Sequence, residues 1–181
     1  MATKYLISLM SFLAIFSYSS YAADTKVRIF GKVVTQTCNV IVKDKEKQVN
    51  FADFSQADFR QIGDVSASQA VKIGLEGCSQ SIDRITYEFT GQEDSDNPDL
   101  LKVIGGNPNS GLTKVAEGLA VEILDSKNNP IKLGQTYVLT DVVFKDETNY
   151  DFNFFLRYKS TKQQITVGDA SAVAYLDFNY E

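Results

Sequence analysis

Apolar and polar residues alternate with a period of two along most of the chain, which is the pattern of strands that have one buried face. The clearest runs of alternating apolar residues are Val71, Ile73 and Leu75; Ile85, Tyr87 and Phe89; Leu119, Val121 and Ile123; Phe152, Phe154, Leu156 and Tyr158; and Leu176, Phe178 and Tyr180. This alternation predicts a protein that is built mainly of β-strands.

Polar segments rich in turn-forming residues separate these runs. They lie at residues 92–98, 105–111, 125–130 and 145–149. Many short strands with regular polar breaks, and no long helical periodicity, predict an all-β fold of the antiparallel Ig-like sandwich type. Residues 53–61 are compatible with one short helical turn.

The N-terminus has the composition of a secretory signal peptide. Lys4 supplies a positive charge ahead of a short apolar run at residues 5–16. Small residues at Ser20 and Ala22 predict cleavage before Ala23. The run is too short to cross a bilayer comfortably, which disfavours the alternative of a retained membrane anchor. No later segment is apolar enough to be an integral membrane segment.

Composition excludes several functional classes. The chain of 181 residues predicts one domain, and it carries a net charge of −5 and no histidine. The lack of histidine excludes a histidine-based catalytic triad or metal site, and the negative charge disfavours nucleic-acid binding. Cys38 and Cys78 are the two cysteines, and in an exported chain they predict one disulfide, here from the start of the sandwich to a non-neighbouring strand. In the chain-entropy model, closing a loop of this length stabilises the fold by about 4 kcal/mol.

Candidate catalytic and metal-binding residues do not form a recognisable site. Asp94, Asp96 and Asp99 suggest a calcium loop, but the EF-hand positions that need Gly and Glu hold Asp99 and Gly105. Serine and aspartate are plentiful, but no partner that would activate a nucleophile accompanies them. Most aromatic residues fall on the inward positions of strands, which favours core packing over sugar stacking. The sequence therefore predicts neither an enzyme nor a cofactor.

Both ends of the exported chain have unusual strand patterns. Residues 23–37 form a long alternating segment that leads into Cys38, with Gly31 in the middle of its apolar face. A glycine inside a strand often marks close approach of another backbone. Residues 168–181 are also strand-like, and an Ig-like sandwich would need one more strand after them. We therefore expect an incomplete sandwich with an open edge that a partner must cover.

These features together resemble the pilin subunits that are assembled by the chaperone–usher route. An alternating N-terminal extension with an embedded glycine, VRIFGKVV, leads into the first cysteine, and the second cysteine ends a strand. Tyr180 is the penultimate residue, and Gly168 is fourteenth from the C-terminus with alternating apolar residues between them. The start ADTKVRIFGKV is similar to adaptor subunits at the tip of type 1 fimbriae, whereas rod subunits tend to have a longer extension. The chain is also too short for a two-domain tip adhesin.

The resemblance implies donor-strand complementation, in which one subunit completes the sandwich of the next. It implies a signal peptide at residues 1–22, a donor-strand extension at residues 23–37 and a pilin domain at residues 38–181. The implied donor residues are Val27, Ile29, Gly31 and Val33. The implied groove and chaperone-binding strand contains Gly168, Leu176, Phe178, Tyr180 and Glu181. The implied partners are a periplasmic pilus chaperone, an outer-membrane usher and neighbouring fimbrial subunits, in a cell-surface fimbrium that supports adhesion.

Three alternatives stay open. The chain could be a major rod subunit of the same fibre, which would dominate purified fibres, whereas an adaptor would be present in few copies. It could be a freestanding secreted Ig-like binding module, which requires a complete sandwich and a stable monomer. A hydrolase that uses only a pair of carboxylates is disfavoured because no acidic pair stands out in so small a chain.

Overall fold

A computed structural model of the chain describes residues 38–80, 82–105, 111–140, 143, 144, 146 and 148–181. The predicted signal peptide and the predicted donor extension lie outside these residues. Within them the chain forms ten β-strands. The strands are β1 (Asn39–Val40), β2 (Gln69–Glu76), β3 (Ile85–Gly91), β4 (Leu101–Lys102), β5 (Leu119–Leu124), β6 (Pro130–Ile131), β7 (Thr136–Val138), β8 (Val143–Phe144), β9 (Tyr150–Ser160) and β10 (Ala174–Tyr180).

The strands form two antiparallel sheets. The larger sheet has the order β1-β2-β9-β5-β4, with β6 paired to β5 and β8 paired to β9. The smaller sheet has the order β10-β3-β7. Long-range antiparallel pairing dominates both sheets, and the predicted all-β class is confirmed. The alternating runs of the sequence lie in β2, β3, β5, β9 and β10, because strand side chains point alternately to the two faces.

The hydrophobic core lies between the two sheets and is rich in aromatic contacts. Phe154 of β9 contacts Phe89 and Tyr87 of β3, with ring centroids 4.9 and 5.3 Å apart. Phe152 of β9 contacts Phe178 of β10 at 5.1 Å. These edge-to-face contacts are the favoured geometry for aromatic rings. Because β9 belongs to the larger sheet and β3 and β10 belong to the smaller one, the contacts join the two layers into a sandwich.

Strand β5 departs from simple alternation, because all six of its residues are buried. Glu122 occupies an outward position but is only 2 % exposed. Its carboxylate accepts a hydrogen bond from Arg157 Nε at 2.6 Å and one from Lys159 Nζ at 2.7 Å, both from the adjacent strand β9. A buried carboxylate is tolerated when it is paired in this way.

The disulfide between Cys38 and Cys78 is present, which confirms the predicted pairing. Its place in the sheet differs from the expectation of a link between non-neighbouring strands. Cys38 immediately precedes β1 and Cys78 follows β2, and β1 and β2 are hydrogen-bonded neighbours with Asn39 opposite Glu76. The bond therefore fastens a very short edge strand to its partner, and two residues of pairing alone would hold β1 weakly.

The short helical turn is a 3-10 helix at Gln56–Asp58, inside the range 53–61. Ser55 starts it with a capping box. Its side chain accepts from the Ala57 N–H at 3.0 Å, and its own N–H donates to the Asp58 carboxylate at 2.7 Å. No helix among the described residues is both long and apolar enough to span a membrane.

Replacing both cysteines, as Cys38→Ala with Cys78→Ala, should lower the free energy of unfolding by about 2–5 kcal/mol, because the open loop gains entropy in the unfolded state. Urea denaturation of the full chain measures this change. Reducing the disulfide of the unaltered chain should produce a similar loss, and an unchanged unfolding midpoint in both cases would contradict the structural role of the bond.

Candidate functional site

Strand β10 is the edge of the smaller sheet. It pairs with β3 along its whole length, from Ala174 opposite Gly91 to Tyr180 opposite Ile85. Among the described residues, no strand pairs with the other edge of β10. A strand edge of this kind presents unpaired N–H and C=O groups that can accept another strand. The geometry therefore offers a site for strand addition.

The inward side chains of β10 are incompletely covered. Leu176, Phe178 and Tyr180 pack against the core but are only partly buried. Phe89 and Tyr87 on β3, the cross-strand neighbours of Leu176 and Phe178, are 6 % and 5 % exposed, whereas Ile85 opposite Tyr180 at the end of the ladder is partly buried. Since both strands face the same core, the difference reflects position at the edge. An added strand with apolar inward residues would bury the remaining surface.

The rings at the end of β10 are arranged as a row. Phe178 stacks with Tyr180 at a centroid distance of 6.5 Å and also contacts Phe152. Partial burial raises the pKa of the Tyr180 phenol. A tyrosine hydroxyl is uncharged at neutral pH even at its ordinary pKa, so the row presents an uncharged aromatic surface beside the open edge.

Glu181 continues the pairing of β10 with the segment before β3. Its N–H donates to the Arg84 carbonyl at 2.9 Å, and its carbonyl oxygen accepts from the N–H groups of Asp83 and Arg84 at 2.7 and 3.1 Å. Arg84 also pairs with the Glu181 side chain at 3.5 Å. These contacts fix the C-terminal end of the edge strand.

Gly168 lies outside the strand, which differs from the expectation that residues 168–181 are all strand-like. β10 begins at Ala174. The preceding stretch instead bonds to other parts of the fold. The Asp169 N–H donates to the Lys114 carbonyl at 2.7 Å, and the Asp169 carbonyl accepts from the Ala116 N–H at 2.9 Å. The Ala170 carbonyl accepts from the Tyr158 hydroxyl. β3 ends at Gly91, so residues 168–173 do not extend its ladder, and Asp169 instead forms an isolated parallel bridge with Val115.

The glycine at position 168 is required by space. A Cβ there would overlap the backbone of Ala116 and Val115 and would lie 2.7 Å from the Lys114 carbonyl oxygen. Its φ is not in the left-handed region, so a close backbone approach, and not backbone strain, excludes a side chain. Gly168 therefore acts on the edge strand indirectly, by anchoring the segment that leads into it.

Sequence reasoning missed the residues that carry this anchoring, namely Lys114, Ala116 and Tyr158. Lys114 and Ala116 lie more than 50 positions from Asp169, and Tyr158 lies 12 positions from Ala170, so no local pattern marks these contacts. The donor residues Val27, Ile29, Gly31 and Val33 lie outside the described residues, so their predicted role stays a prediction.

A second concave surface lies away from β10. It is a cavity of about 390 Å³ that includes Asp94, Asp96, Lys102, Glu117 and Lys162 among its lining residues. Two of its acids have structural partners. Asp94 accepts from the N–H groups of Asp96 and Asn97 at 3.0 and 3.1 Å, and Asp96 pairs with Lys162 at 3.4 Å. In the part of the chain that the structure describes, no three acidic, histidine or cysteine side chains are grouped to hold a metal ion.

Replacing Gly168 by alanine should lower the free energy of unfolding by about 1–3 kcal/mol, because the added methyl group forces two backbone segments apart. Urea denaturation measures the change. Gly134→Asn is the matched control, because Gly134 has a φ of 64° and open space around it. Asparagine tolerates that conformation, so the control should stay within about 0.5 kcal/mol of the unaltered chain. Equal stability of both variants would contradict the close approach at Gly168.

Comparisons with known proteins find matches to fimbrial proteins. The family model described as "Fimbrial protein" matches residues 27–181. A fimbrial-like protein of Escherichia coli, YcbU, is 35% identical over 159 residues, which cover 87% of this chain and 85% of that protein. A type-1 fimbrial protein subunit of Serratia marcescens is 29% identical over 167 residues, which cover 90% of each chain.

Solved structures agree with the sequence comparison. A Burkholderia pseudomallei antigen and type I fimbria protein superposes with a TM-score of 0.57 and 29% identity, over 79% of this chain and 88% of that one. A subunit in a structure of a chaperone–usher pilus gives a TM-score of 0.62 at 22% identity, over 90% of this chain and 99% of that one. The second likeness concerns the fold alone, and it confirms the Ig-like pilin fold class.

Proposed function

This chain belongs to the fimbrial protein family, which consists of structural subunits of cell-surface fibres and not of enzymes, and we propose that it polymerises by donor-strand complementation. The observation that carries the proposal is the open edge of β10, with the half-covered row Leu176, Phe178 and Tyr180 behind it. One neighbouring subunit supplies the strand that covers this edge. The chain's own extension, residues 23–37, does the same for the next subunit.

The donor segment has the sequence that this role requires. Val27, Ile29, Gly31 and Val33 alternate with polar or bulky residues, so all four point to one face of an extended strand. Each buried valine or isoleucine contributes roughly 1.5–3 kcal/mol, and each backbone ladder bond adds about 1 kcal/mol. The sum over one strand is enough for a joint that seldom opens.

The same edge is the binding surface for an assembly chaperone before the fibre forms. A chaperone strand would pair along β10 and contact Leu176, Phe178 and Tyr180, with Glu181 at its end. Gly168 supports this surface from behind through its packing on residues 114–116. After export through the predicted signal peptide, the subunit would wait in the periplasm with its edge covered. At an outer-membrane usher, the donor strand of the next subunit would replace the chaperone strand.

The start of the exported chain favours a minor or adaptor subunit that supports cell adhesion. The alternative within the family is the major rod subunit. The alternative of a freestanding Ig-like module would require the edge of β10 to be covered by the chain itself.

A synthetic peptide of residues 24–36 should stabilise the full chain, expressed with its N-terminal 22 residues. At about one hundred times its dissociation constant, a ligand specific for the folded state adds about 2.7 kcal/mol of stability. For a domain of this size that corresponds to a rise in Tm of roughly 5–11 °C. A peptide with Ile29→Asp is the control and should have little effect. A melting temperature that is indifferent to the unaltered peptide would support the freestanding module.

Gly31→Leu should block incorporation into fibres while the fold stays intact, because a leucine at the close-fitting position of the donor cannot enter the neighbour's groove. Quantifying the variant in purified fibres, with circular dichroism of the monomer beside it, measures both effects. Thr35→Leu, near the end of the extension, is the control. Normal incorporation of the Gly31 variant would count against its assignment as a buried donor residue.

A further inference from the structure

The outward face of the smaller sheet carries unbalanced negative charge next to the open edge. Asp177 on β10 lies directly opposite Glu88 on β3. Like charges in directly opposite positions destabilise an antiparallel pair. Asp177 is exposed and, among the described residues, has no cation within ion-pair distance. Glu88 accepts a hydrogen bond from the uncharged hydroxyl of Thr136 at 3.1 Å.

No basic residue offsets this pair on the sheet itself. The outward positions of the three strands are Tyr175, Asp177 and Asn179 on β10, Thr86, Glu88 and Thr90 on β3, and Thr136 and Val138 on β7. The nearest described cation along the β10 ladder is Arg84, and it already pairs with Glu181. The negative charge is therefore concentrated where an added strand would lie.

The predicted donor segment carries positive charge at the positions between its apolar residues. Lys26, Arg28 and Lys32 alternate with the apolar donor residues of the extension. When the apolar residues point inward, a period of two places all three cations on the outward face. This holds for either strand direction, because the alternation is independent of direction.

We propose that Asp177 and Glu88 select the incoming donor strand by its outward cations, and that the extension of a second copy of this chain is a donor that fits. The proposal rests on the proposed function, since it requires strand addition at β10. Long side chains reach diagonal as well as directly opposite neighbours across a strand pair. A cation therefore lies beside Asp177 even when Phe30 occupies the directly opposite position.

The two faces of the joint then have different tasks. Burial of the apolar row supplies affinity, whereas exposed charges chiefly change the association rate and the choice of partner. A donor that fits its own acceptor lets one subunit follow another of the same kind.

Binding of two fluorescent peptides of residues 24–36 to the full chain tests the proposal. One peptide has the natural sequence, and the other carries Lys26→Glu, Arg28→Glu and Lys32→Glu. An exposed ion pair changes affinity by about 1.5- to 5-fold, so losing the pairs with both Asp177 and Glu88 should make the reversed peptide bind about 2- to 25-fold more weakly. Its association rate should fall as well, and added salt should narrow the difference because it screens the charges.

Charge reversal on the acceptor provides the matched test. Asp177→Lys should weaken the natural peptide and restore binding of the reversed one by about 1.5- to 5-fold. Asp53→Lys makes the same change of charge at an exposed loop position and should alter the binding of neither peptide. Asp177→Asn, which keeps the shape of the side chain, should weaken the natural peptide and should restore less of the reversed peptide's binding than Asp177→Lys, because it removes a repulsion without adding an attraction.

The outcomes separate the two proposals. Equal affinity and rate for both peptides on the unaltered chain would overturn the charge selection and leave donor-strand complementation standing. An effect of Asp53→Lys as large as that of Asp177→Lys would also overturn it, because net charge alone would then explain the result. If neither peptide binds, the proposed function fails and the charge selection fails with it.

Discussion

The inward side chains of β10 have a neighbouring strand on one side only among the described residues, and the behaviour of the protein depends on this asymmetry. The contrast with β9 shows the effect. β9 pairs with β2 over Tyr150–Leu156 and, on its other side, with β8 at Tyr150 and Asp151 and with β5 over Phe155–Ser160. Its residues Phe152 and Phe154 are 1 % and 3 % exposed. Phe178 contacts the same aromatic cluster, yet it stays partly exposed because no strand of the described residues lies beside β10 on that side. The apolar core therefore ends at the free edge of β10, where an added strand could extend the smaller sheet.

The edge strand is held at both ends before any partner arrives. Glu181 bonds to Asp83 and Arg84 beyond the end of the ladder, and residues 168–170 bond to Lys114, Ala116 and Tyr158 before its start. Binding is tighter when the binding surface is already in its bound conformation, since less conformational entropy is lost on association. The contacts around Gly168 therefore serve the proposed joint even though they lie outside it.

The two faces of β10 have different roles in the proposed polymer: the inward apolar face gives affinity for a donor strand, and the outward charged face gives partner choice. The inward face needs to exclude water strongly, and almost any alternating apolar strand satisfies that need. Discrimination between similar donors therefore has to come from residues outside the inward face. Asp177 and Glu88 lie on the outward face, where charge can vary without disturbing the core, and this is the physical basis for the proposed selection of partners.

Sequence patterns were enough to predict the fold class, the strands β2, β3, β5, β9 and β10, the disulfide and the short helical turn. Each of these depends on local alternation, on turn chemistry or on a count of two cysteines, and local patterns are visible in a linear sequence. The donor role of residues 23–37 also comes from a local pattern, and it stays a prediction.

Tertiary structure alone decided which strands are neighbours and therefore which residues are enclosed. Alternation placed Glu122 on an outward position, but the side chains of Arg157 and Lys159 cover it. The strand-like pattern of residues 168–173 did not become a strand, because β3 ends at Gly91 and the backbone bonds to residues 114–116 instead. The opposition of Asp177 and Glu88 likewise depends on the register of two strands that are separated by more than 80 residues. Register and neighbourhood arise from packing across the whole chain, and no local pattern encodes them.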